Sequence, residues 1–287
     1  MAQHVQAASG VRRIELAVRP EERIPVPQSD GYSVYGALLD VLDGVNEDVS
    51  KHVHDSPLGS LHSSGLQGVF GASDRAHHKS VRPDEEYGLT LGIVDPADDE
   101  IFEALVTALV LEGDSLELTN GVLRVESFES ENATPEALLE RAAAAKDPTL
   151  DVEFVTPACI EEAGDVTTMF PHRVSVFESL LGKWNRSCPG ELELDLGREA
   201  IAGSVIEKPD ARAYDTHSVL VNRVGDGEDT QPIFRQGFTG RVTYAFKDAS
   251  ESTHNALTAL ALFGEFSGVG SAVSRGCGHI SVETSES

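Results

Sequence analysis

Basic residues are the most conspicuous shortage in this sequence. The chain of 287 residues has 22 lysines and arginines against 48 aspartates and glutamates, which gives a formal net charge of −26 at pH 7. Most nucleic-acid-binding domains carry the opposite balance. Such acidity suits a medium of molar salt, where the Debye length is about 3 Å and long-range repulsion is screened. We therefore predict a halophilic source; the alternative is an acidic surface that binds a cationic partner.

Cysteine and long apolar runs are also scarce. The chain has 3 cysteines at positions 159, 188 and 277 without CxxC spacing, which indicates a reducing compartment and excludes a disulfide framework. The N-terminal decapeptide lacks the basic and apolar regions of a signal peptide, and the apolar runs at 101–111 and 256–263 are too short to span a bilayer. We expect a cytoplasmic protein that has no membrane partner.

Glycine is concentrated near the C-terminus, although the Gly-Lys-Ser/Thr of a P-loop is absent. This glycine segment, residues 268–278, follows an apolar helical stretch and precedes a short alternating one, whereas a dinucleotide fingerprint requires strand, glycines and then helix. It contains no acidic residue. It consists mainly of small residues and one arginine, among them Gly268, Gly270, Ser271, Ser274, Arg275, Gly276 and Gly278. We predict a backbone loop that binds a phosphodiester chain; the alternative is a turn that only needs positive φ.

The pattern of the first half of the chain predicts the element order strand, helix, strand, strand, helix, strand. Residues 11–18 alternate like a strand, and the following helix has apolar residues at helical spacing. The pattern then predicts a polar loop over 51–55, strands over 58–70 and 87–94 separated by a mobile loop, a helix that begins at Asp95-Pro96 and ends at Gly113, and a strand over 116–127 with a hairpin turn at Asn120-Gly121.

The second half repeats this order. The predicted elements are a strand from Leu150, a helix with one apolar face around Phe177 and Trp184, strands over 191–196 and 236–246, the apolar helix 254–266, and a strand from Ile280. Residues 207–232 are predicted as an insertion that breaks the regularity of the second copy, with a solvated loop in its VGDGED stretch. The fold class is therefore α+β with two tandem ferredoxin-like (RRM-like) βαββαβ domains, at 1–130 and 150–287, joined by a connector at 131–149.

Four stretches carry a family resemblance. In chain order they are Ile24-Pro25 followed by a helix and Val53-His54-Asp55, then Phe154-Val155-Thr156-Pro157 with the helix after it, then Phe238-Thr239-Gly240-Arg241, and last G-V-G-x-x-x-S-R-G-x-G over 268–278. Together they resemble the CRISPR-associated endoribonucleases that cut repeat RNA, in the repeat-associated RNA-binding superfamily. The resemblance covers most of the chain and implies the same two-domain fold.

The resemblance implies that His54 is the catalytic residue. Histidine transfers protons near neutral pH, and from the residues alone His52, His62, His77 and His78 remain alternatives. Some relatives add a tyrosine on the preceding helix, but Leu39 occupies the aligned position and Tyr35 lies one turn earlier. Arg241, Arg275 and Lys51 are the predicted phosphate contacts outside the glycines, and Arg223 and Arg235 are weaker candidates. A metal site at His52, His54 and Asp55 is a further alternative.

The predicted activity is metal-independent endoribonucleolytic cleavage of a CRISPR precursor transcript, once per repeat, with no cofactor. The 2′-hydroxyl of the RNA would be the nucleophile, and the products would carry 2′,3′-cyclic phosphate and 5′-hydroxyl ends. The predicted partners are repeat RNA and the subunits of a CRISPR interference complex. In molar salt, binding should depend on hydrogen bonds, stacking and shape. The alternative is a non-catalytic RNA-binding subunit of such a complex.

Overall fold

The computed structural model describes residues 10–56, 59–95, 97–146, 149–164, 166–225 and 230–283. Predictions that concern the first nine residues, Leu58, Pro96 or positions 226–229 lie outside these ranges. No helix within them is both long enough and apolar enough to cross a membrane.

The N-terminal half contains the predicted ferredoxin-like sheet. Its elements are β1 (Val11–Pro20), β2 (Ile24–Pro27), α1 (Gly31–Val45), α2 (Glu47–Asp55), β3 (Leu61–Gln67), β4 (Gly71–Ala72), β5 (His78–Val81), β6 (Tyr87–Ile93), α3 (Asp98–Val106) with a π-helical turn Thr107–Leu111, β7 (Ser115–Leu118) and β8 (Gly121–Ala133). The antiparallel strands lie in the order β3-β6-β1-β8-β7. The βαββαβ order is confirmed, and β7 and β8 form a hairpin whose turn residues are Thr119 and Asn120, one position before the predicted Asn120-Gly121.

Two predictions for this half are wrong. Residues 51–55 form the second half of α2 and are not a loop, because the Asn46 side chain accepts hydrogen bonds from the amides of Asp48 and Val49 and starts the helix. The segment between β3 and β6, predicted as a mobile loop, contains β4 and β5, which extend β2 into a three-stranded sheet.

The C-terminal half contains a second sheet. Its elements are α4 (Pro135–Ala144), β9 (Thr149–Ala158), β10 (Ile160–Ala163), β11 (Val166–Thr168), α5 (Arg173–Ser187), α6 (Arg198–Ser204), β12 (Val205–Pro209), β13 (Asp215–Val224), β14 (Gln231–Phe246), α7 (Glu251–Ser267) and β15 (Ile280–Glu283). The antiparallel order is β12-β14-β9-β15, which confirms the tandem arrangement. The domain limits at 130 and 150 remain a prediction, and β8 continues to Ala133.

The strand predicted over 191–196 is a connection. Its alternating leucines pack on the C-terminal core, but its backbone bonds to side chains of α5: the Trp184 indole donates to the Leu192 carbonyl at 2.8 Å, and the Asn185 amide clamps Leu194 at 2.9 and 3.0 Å. The second strand of the domain is β12 instead. Two side chains of α5 thus bond to backbone groups that a neighbouring strand was expected to pair with.

The predicted insertion over 207–232 contributes a strand to the C-terminal sheet, and most of its VGDGED stretch lies outside the described residues. Residues 215–224 form β13, which pairs with β14 as a long hairpin. Val219 and Val221 face inward and bury the thiols of Cys159 and Cys277. The alternation of Val219 and Val221 is a strand signal that the sequence contained.

Helix α7 connects the two cores. Leu257, Leu260 and Phe263 are fully buried in the C-terminal core, and each such side chain contributes about 1.5–3 kcal/mol of transfer free energy. The C-terminal end of α7 also packs on the N-terminal sheet, where a Cβ on Gly92 would lie 1.8 Å from the Phe266 carbonyl oxygen. The glycine segment therefore leaves α7 at the junction of the two domains.

Candidate nucleic-acid interface and active site

Helix α2 presents His54 at the domain junction. Val49 and Val53 lie one turn apart on its buried face, and the Ser50 hydroxyl donates to the Leu39 carbonyl on α1. These contacts fix the rotation of the helix. His54 is consequently exposed and lines a cavity of about 340 Å³ that the glycine segment closes from the other domain.

The hydroxyl-bearing side chain of Tyr35 lines the same cavity from α1. Tyr35 is buried, forms a hydrogen bond with Ser274, and lies under the guanidinium of Arg275 at 5.7 Å from the ring centroid. Burial raises the pKa of Tyr35, and the charge of Arg275 partly offsets the rise. A tyrosine and a histidine thus reach one cavity, although Leu39, not Tyr35, was the aligned position.

The backbone of the glycine segment is hydrogen-bonded within the protein. The amide of Val269 donates to the Gly278 carbonyl at 2.8 Å, that of Ser271 to the Cys159 carbonyl at 2.7 Å, and that of Gly270 to the Ser179 hydroxyl at 3.0 Å. These three amides are therefore not available to a phosphate.

Two glycines of the segment are required for close packing. A Cβ on Gly278 would lie 1.9 Å from the Val269 carbonyl oxygen, and one on Gly276 would lie 2.8 Å from the Cα of Gly31 at the start of α1. Both have positive φ, of 70° and 82°. Glycine at these positions therefore lets the segment fold on itself and touch the N-terminal domain.

The charge of the cavity is opposite to that of the chain. Among the described residues that line it, none is an aspartate or glutamate. They are Tyr35, Val53, His54, Ser56, Gly59, Lys183, Arg186, Gly270, Ser271, Ala272, Val273, Ser274 and Arg275. The cavity therefore combines three basic side chains, a histidine and a tyrosine, which suits an anionic ligand.

Sequence reasoning did not identify Lys183 and Arg186. They lie one turn apart on α5, which was recognised only by its apolar face, and the same face carries the Ser179 that bonds to the glycine segment. The available signal was the i, i+3 and i+4 spacing of polar residues at 179, 183 and 186. That face packs on the glycine segment, 85 to 91 residues away in sequence. The spacing of residues within α5 does not reveal so distant a partner.

The structure separates other predicted contacts from the cavity. Arg241 lies on the outer face of the C-terminal sheet, where it pairs with Glu153 at 3.2 Å, so its position does not support a phosphate contact beside the glycine segment. Lys51 is exposed on α2 but does not line the cavity. Arg223 and Arg235 lie on the hairpin strands, and Arg235 pairs with Glu161.

The alternative histidines lie elsewhere. His52 bonds to Asp95 at 3.0 Å, and His77 and His78 lie at the start of β5. His62 is buried beneath the segment, stacked on His279 at 5.3 Å, and burial lowers the pKa of both imidazoles, that of His279 to about 4. Within the described ranges no three side chains of His, Cys, Asp or Glu are grouped to hold a metal ion.

Comparisons with known proteins agree with this geometry. Residues 152–280 match the family model of the CRISPR-associated endoribonuclease Cas6. No curated protein matches the chain in sequence.

Solved structures extend the likeness to both domains. A Cas6 product complex is 21% identical with a TM-score of 0.68, covering 96% of this chain and 100% of that one. Thermus thermophilus Cas6 is 20% identical with a TM-score of 0.64 and the same coverage. The product of a Cas6-related gene from Pyrococcus furiosus is 12% identical with a TM-score of 0.61, again covering 96% and 100%.

The structural likeness establishes the fold, and the family match covers the C-terminal domain with its glycine segment. The chain therefore has the tandem ferredoxin-like fold of the Cas6 structures, and its residues 152–280 are similar to the Cas6 family.

Proposed function

We propose that this protein is an endoribonuclease that binds the repeat of a CRISPR precursor transcript and cuts it by metal-independent transesterification. The observation that carries the proposal is the acid-free cavity, in which His54, Tyr35 and three basic side chains meet within a chain of net charge −26. The match to the Cas6 family model and the Cas6 structures solved with product or substrate mimic support RNA as the ligand.

The reaction needs no external nucleophile. The 2′-oxygen of the RNA loses its proton, bonds to the adjacent phosphorus, and displaces the 5′-oxygen of the next nucleotide, which gains a proton. The products are a 2′,3′-cyclic phosphate and a 5′-hydroxyl. The protein then has to move two protons and stabilise charge on the phosphoryl oxygens.

His54 is the proposed proton-transfer residue because it is the described histidine that faces the basic cavity. Tyr35 is its proposed partner. Since burial raises the pKa of Tyr35, its hydroxyl keeps its proton at neutral pH and can donate a hydrogen bond to the phosphate or to the leaving oxygen. Arg275, whose guanidinium adjoins Tyr35, would stabilise the charge that develops on the phosphate.

The acidic remainder of the surface suits a halophilic, archaeal source and a cytoplasm of molar salt. Under those conditions, the acid-free cavity would attract RNA only at short range. We further propose that the mature guide RNA passes to the subunits of a CRISPR interference complex.

The test is cleavage of a repeat-containing RNA in molar KCl with EDTA under single-turnover conditions. His54→Ala should slow cleavage by roughly 10²–10⁴-fold, and the wild-type products should carry cyclic phosphate ends. The matched control is His52→Ala on the same helix, which should cleave at a near wild-type rate because His52 bonds to Asp95 and faces away from the cavity.

Three outcomes would contradict parts of the proposal. Equal rates for His54→Ala and wild type would remove His54 from the reaction. Loss of wild-type cleavage in EDTA, restored by a divalent ion, would remove metal independence. Tight RNA binding without cleavage under any of these conditions would indicate a non-catalytic RNA-binding subunit.

A further inference from the structure

The cavity around His54 continues into a second groove along α5. This groove of about 610 Å³ is lined by residues of β10, α5 and α6, and it shares Lys183, Arg186, Gly270 and Ser271 with the cavity. The groove is also lined by Glu161, Glu162 and Glu178, whereas Lys183 and Arg186 belong as well to the cavity, which no described carboxylate lines. These two side chains stand where the two spaces meet.

Arg186 is available to an external anion. The other arginine that lines the groove, Arg198, is paired with Glu178 at 2.7 Å. Arg186 is exposed, and no ion pair joins it to a carboxylate in the described part of the chain. An unpaired guanidinium in so acidic a protein, placed beside a basic cavity, is suited to bidentate binding of a phosphate.

Lys183 is buried, and its ammonium holds the glycine segment. It donates to the Ser267 carbonyl at 3.1 Å and to the Gly268 carbonyl at 2.9 Å, at the end of α7. A lysine has three N–H donors, so one remains beyond these two bonds. Burial and then the charge of Arg186 lower the pKa of Lys183 to about 7, while the two carbonyls favour the protonated form.

We propose that α5 forms a phosphate-binding subsite next to the scissile bond, in which Arg186 binds the RNA backbone and Lys183 positions the glycine segment. This inference rests on the proposed function, because it takes RNA as the ligand of the cavity. It assigns to α5 a contact with the RNA backbone that the amides of Val269, Gly270 and Ser271, already bonded within the protein, do not supply.

The experiment measures the affinity of repeat RNA as a function of KCl concentration in the His54→Ala background, so that cleavage does not interfere. Arg186→Gln should weaken binding by about 5–20-fold, as expected for one charged hydrogen-bonded contact. It should also reduce the slope of log K against log salt by about 0.7, the value for one phosphate of a single strand. The matched control is Arg124→Gln, which removes the same charge from an ion-paired arginine of the N-terminal sheet.

Lys183→Met tests the positioning role, and its readout is the pH dependence of binding. The charged or titratable groups that face Lys183 are Arg186 on α5 and His62 on β3, whose pKa is already well below its usual range. In the His54→Ala background, affinity should therefore fall as pH rises from 6.5 to 8.5 while Lys183 loses its proton. The same variant with Lys183→Met should bind more weakly at pH 6.5 and show a flat profile.

The outcomes separate this inference from the proposed function. If wild type and His54→Ala bind no RNA, the proposed function fails. If they bind RNA and Arg186→Gln matches Arg124→Gln in affinity and salt slope, the α5 subsite is excluded while the nuclease proposal stands. A pH profile unchanged by Lys183→Met, in a protein that unfolds as cooperatively as its parent, would exclude the positioning role.

Discussion

The cavity at the domain junction and the outer face of the C-terminal sheet contain similar arginines in opposite surroundings. In the cavity, Arg275 and Arg186 have no described carboxylate among the lining residues. On the sheet face, Arg241 pairs with Glu153, and Asp151, Asp210 and Glu283 line the same groove. An arginine therefore indicates a phosphate site in this chain only where the surrounding acids have been excluded.

The two regions also differ in what determines the path of the backbone. In the sheet, strand pairing determines the backbone, and side chains decide what the face binds. In the cavity, the glycine segment first has to meet α1 and fold on itself, and only then presents Ser274 and Arg275. A larger residue at Gly276 or Gly278 should therefore disturb the fold before it affects RNA binding, since both glycines lie against backbone.

The largest expected effect is that of Gly278→Ala, which disrupts the packing of the glycine segment beside the cavity and leaves the outer face of the C-terminal sheet unchanged. Its Cβ would overlap the Val269 carbonyl, so we expect a loss of about 3 kcal/mol or more in the free energy of unfolding. The measurement is denaturant unfolding in molar KCl. The matched control is Gly164→Ala, whose φ of 59° is similar but whose Cβ would meet nothing within 4 Å; it should cost only about 1–2 kcal/mol. Equal losses would refute the packing argument.

Acid should lower the free energy of unfolding through His279, which is buried beneath the glycine segment against His62. The pKa of His279 is lowered to about 4 by burial and by the charge of Arg13, whereas the unfolded chain has its ordinary value near 6.5. The unfolded state then binds the extra proton, so this stability is present above pH 6.5 and is lost as pH falls toward 4, by about 3 kcal/mol in all.

Unfolding at pH 7 and pH 4.5 should therefore differ less for His279→Phe than for wild type. The control His77→Asn, at an exposed position, should keep the wild-type difference. If His279→Phe keeps it as well, the imidazole pair does not sense acid.

Tyr35→Phe should separate chemistry from binding within the cavity. Removal of the hydroxyl should slow single-turnover cleavage by roughly 10²-fold, while RNA affinity changes little because the ring and Arg275 remain. Tyr32→Phe is the matched control on α1, since Tyr32 does not line the cavity. An unchanged rate for Tyr35→Phe would leave His54 without this partner.

The smallest effect is expected on the sheet face. Arg241→Gln should change RNA affinity less than about 2-fold, because an exposed ion pair contributes only about 0–1 kcal/mol and Glu153 already occupies the guanidinium. Filter binding in molar KCl measures it beside Arg186→Gln. A loss equal to that of Arg186→Gln would show that RNA also binds the sheet face.

Local patterns predicted most of the fold. The alternation in β1 and β9, the helical spacing in α1 and α5, and the apolar run of α7 each correspond to an observed element. The misplaced strand at 191–196 shows the limit of such patterns. Alternating leucines indicate one buried face, but they do not say whether a strand or the side chains of Trp184 and Asn185 will bond to the backbone.

The misread loop at 51–55 is a different kind of error, because its signal was local. Asn46, the acids Glu47 and Asp48, and the spacing of Val49 and Val53 are features of a capped helix. The placement of His54 depended on this helix, since only its rotation separates His54 from His52.

The sequence by itself determined the two ferredoxin-like repeats, the glycine segment and the small set of candidate histidines, because each depends on residues that are close along the chain. Tertiary structure alone decided which side chains share the cavity. Tyr35 and His54 come from one domain, and Lys183, Arg186 and Arg275 come from the other. Their meeting depends on how α7 and the glycine segment dock on α1 and β3, and no local pattern encodes contacts between segments so far apart.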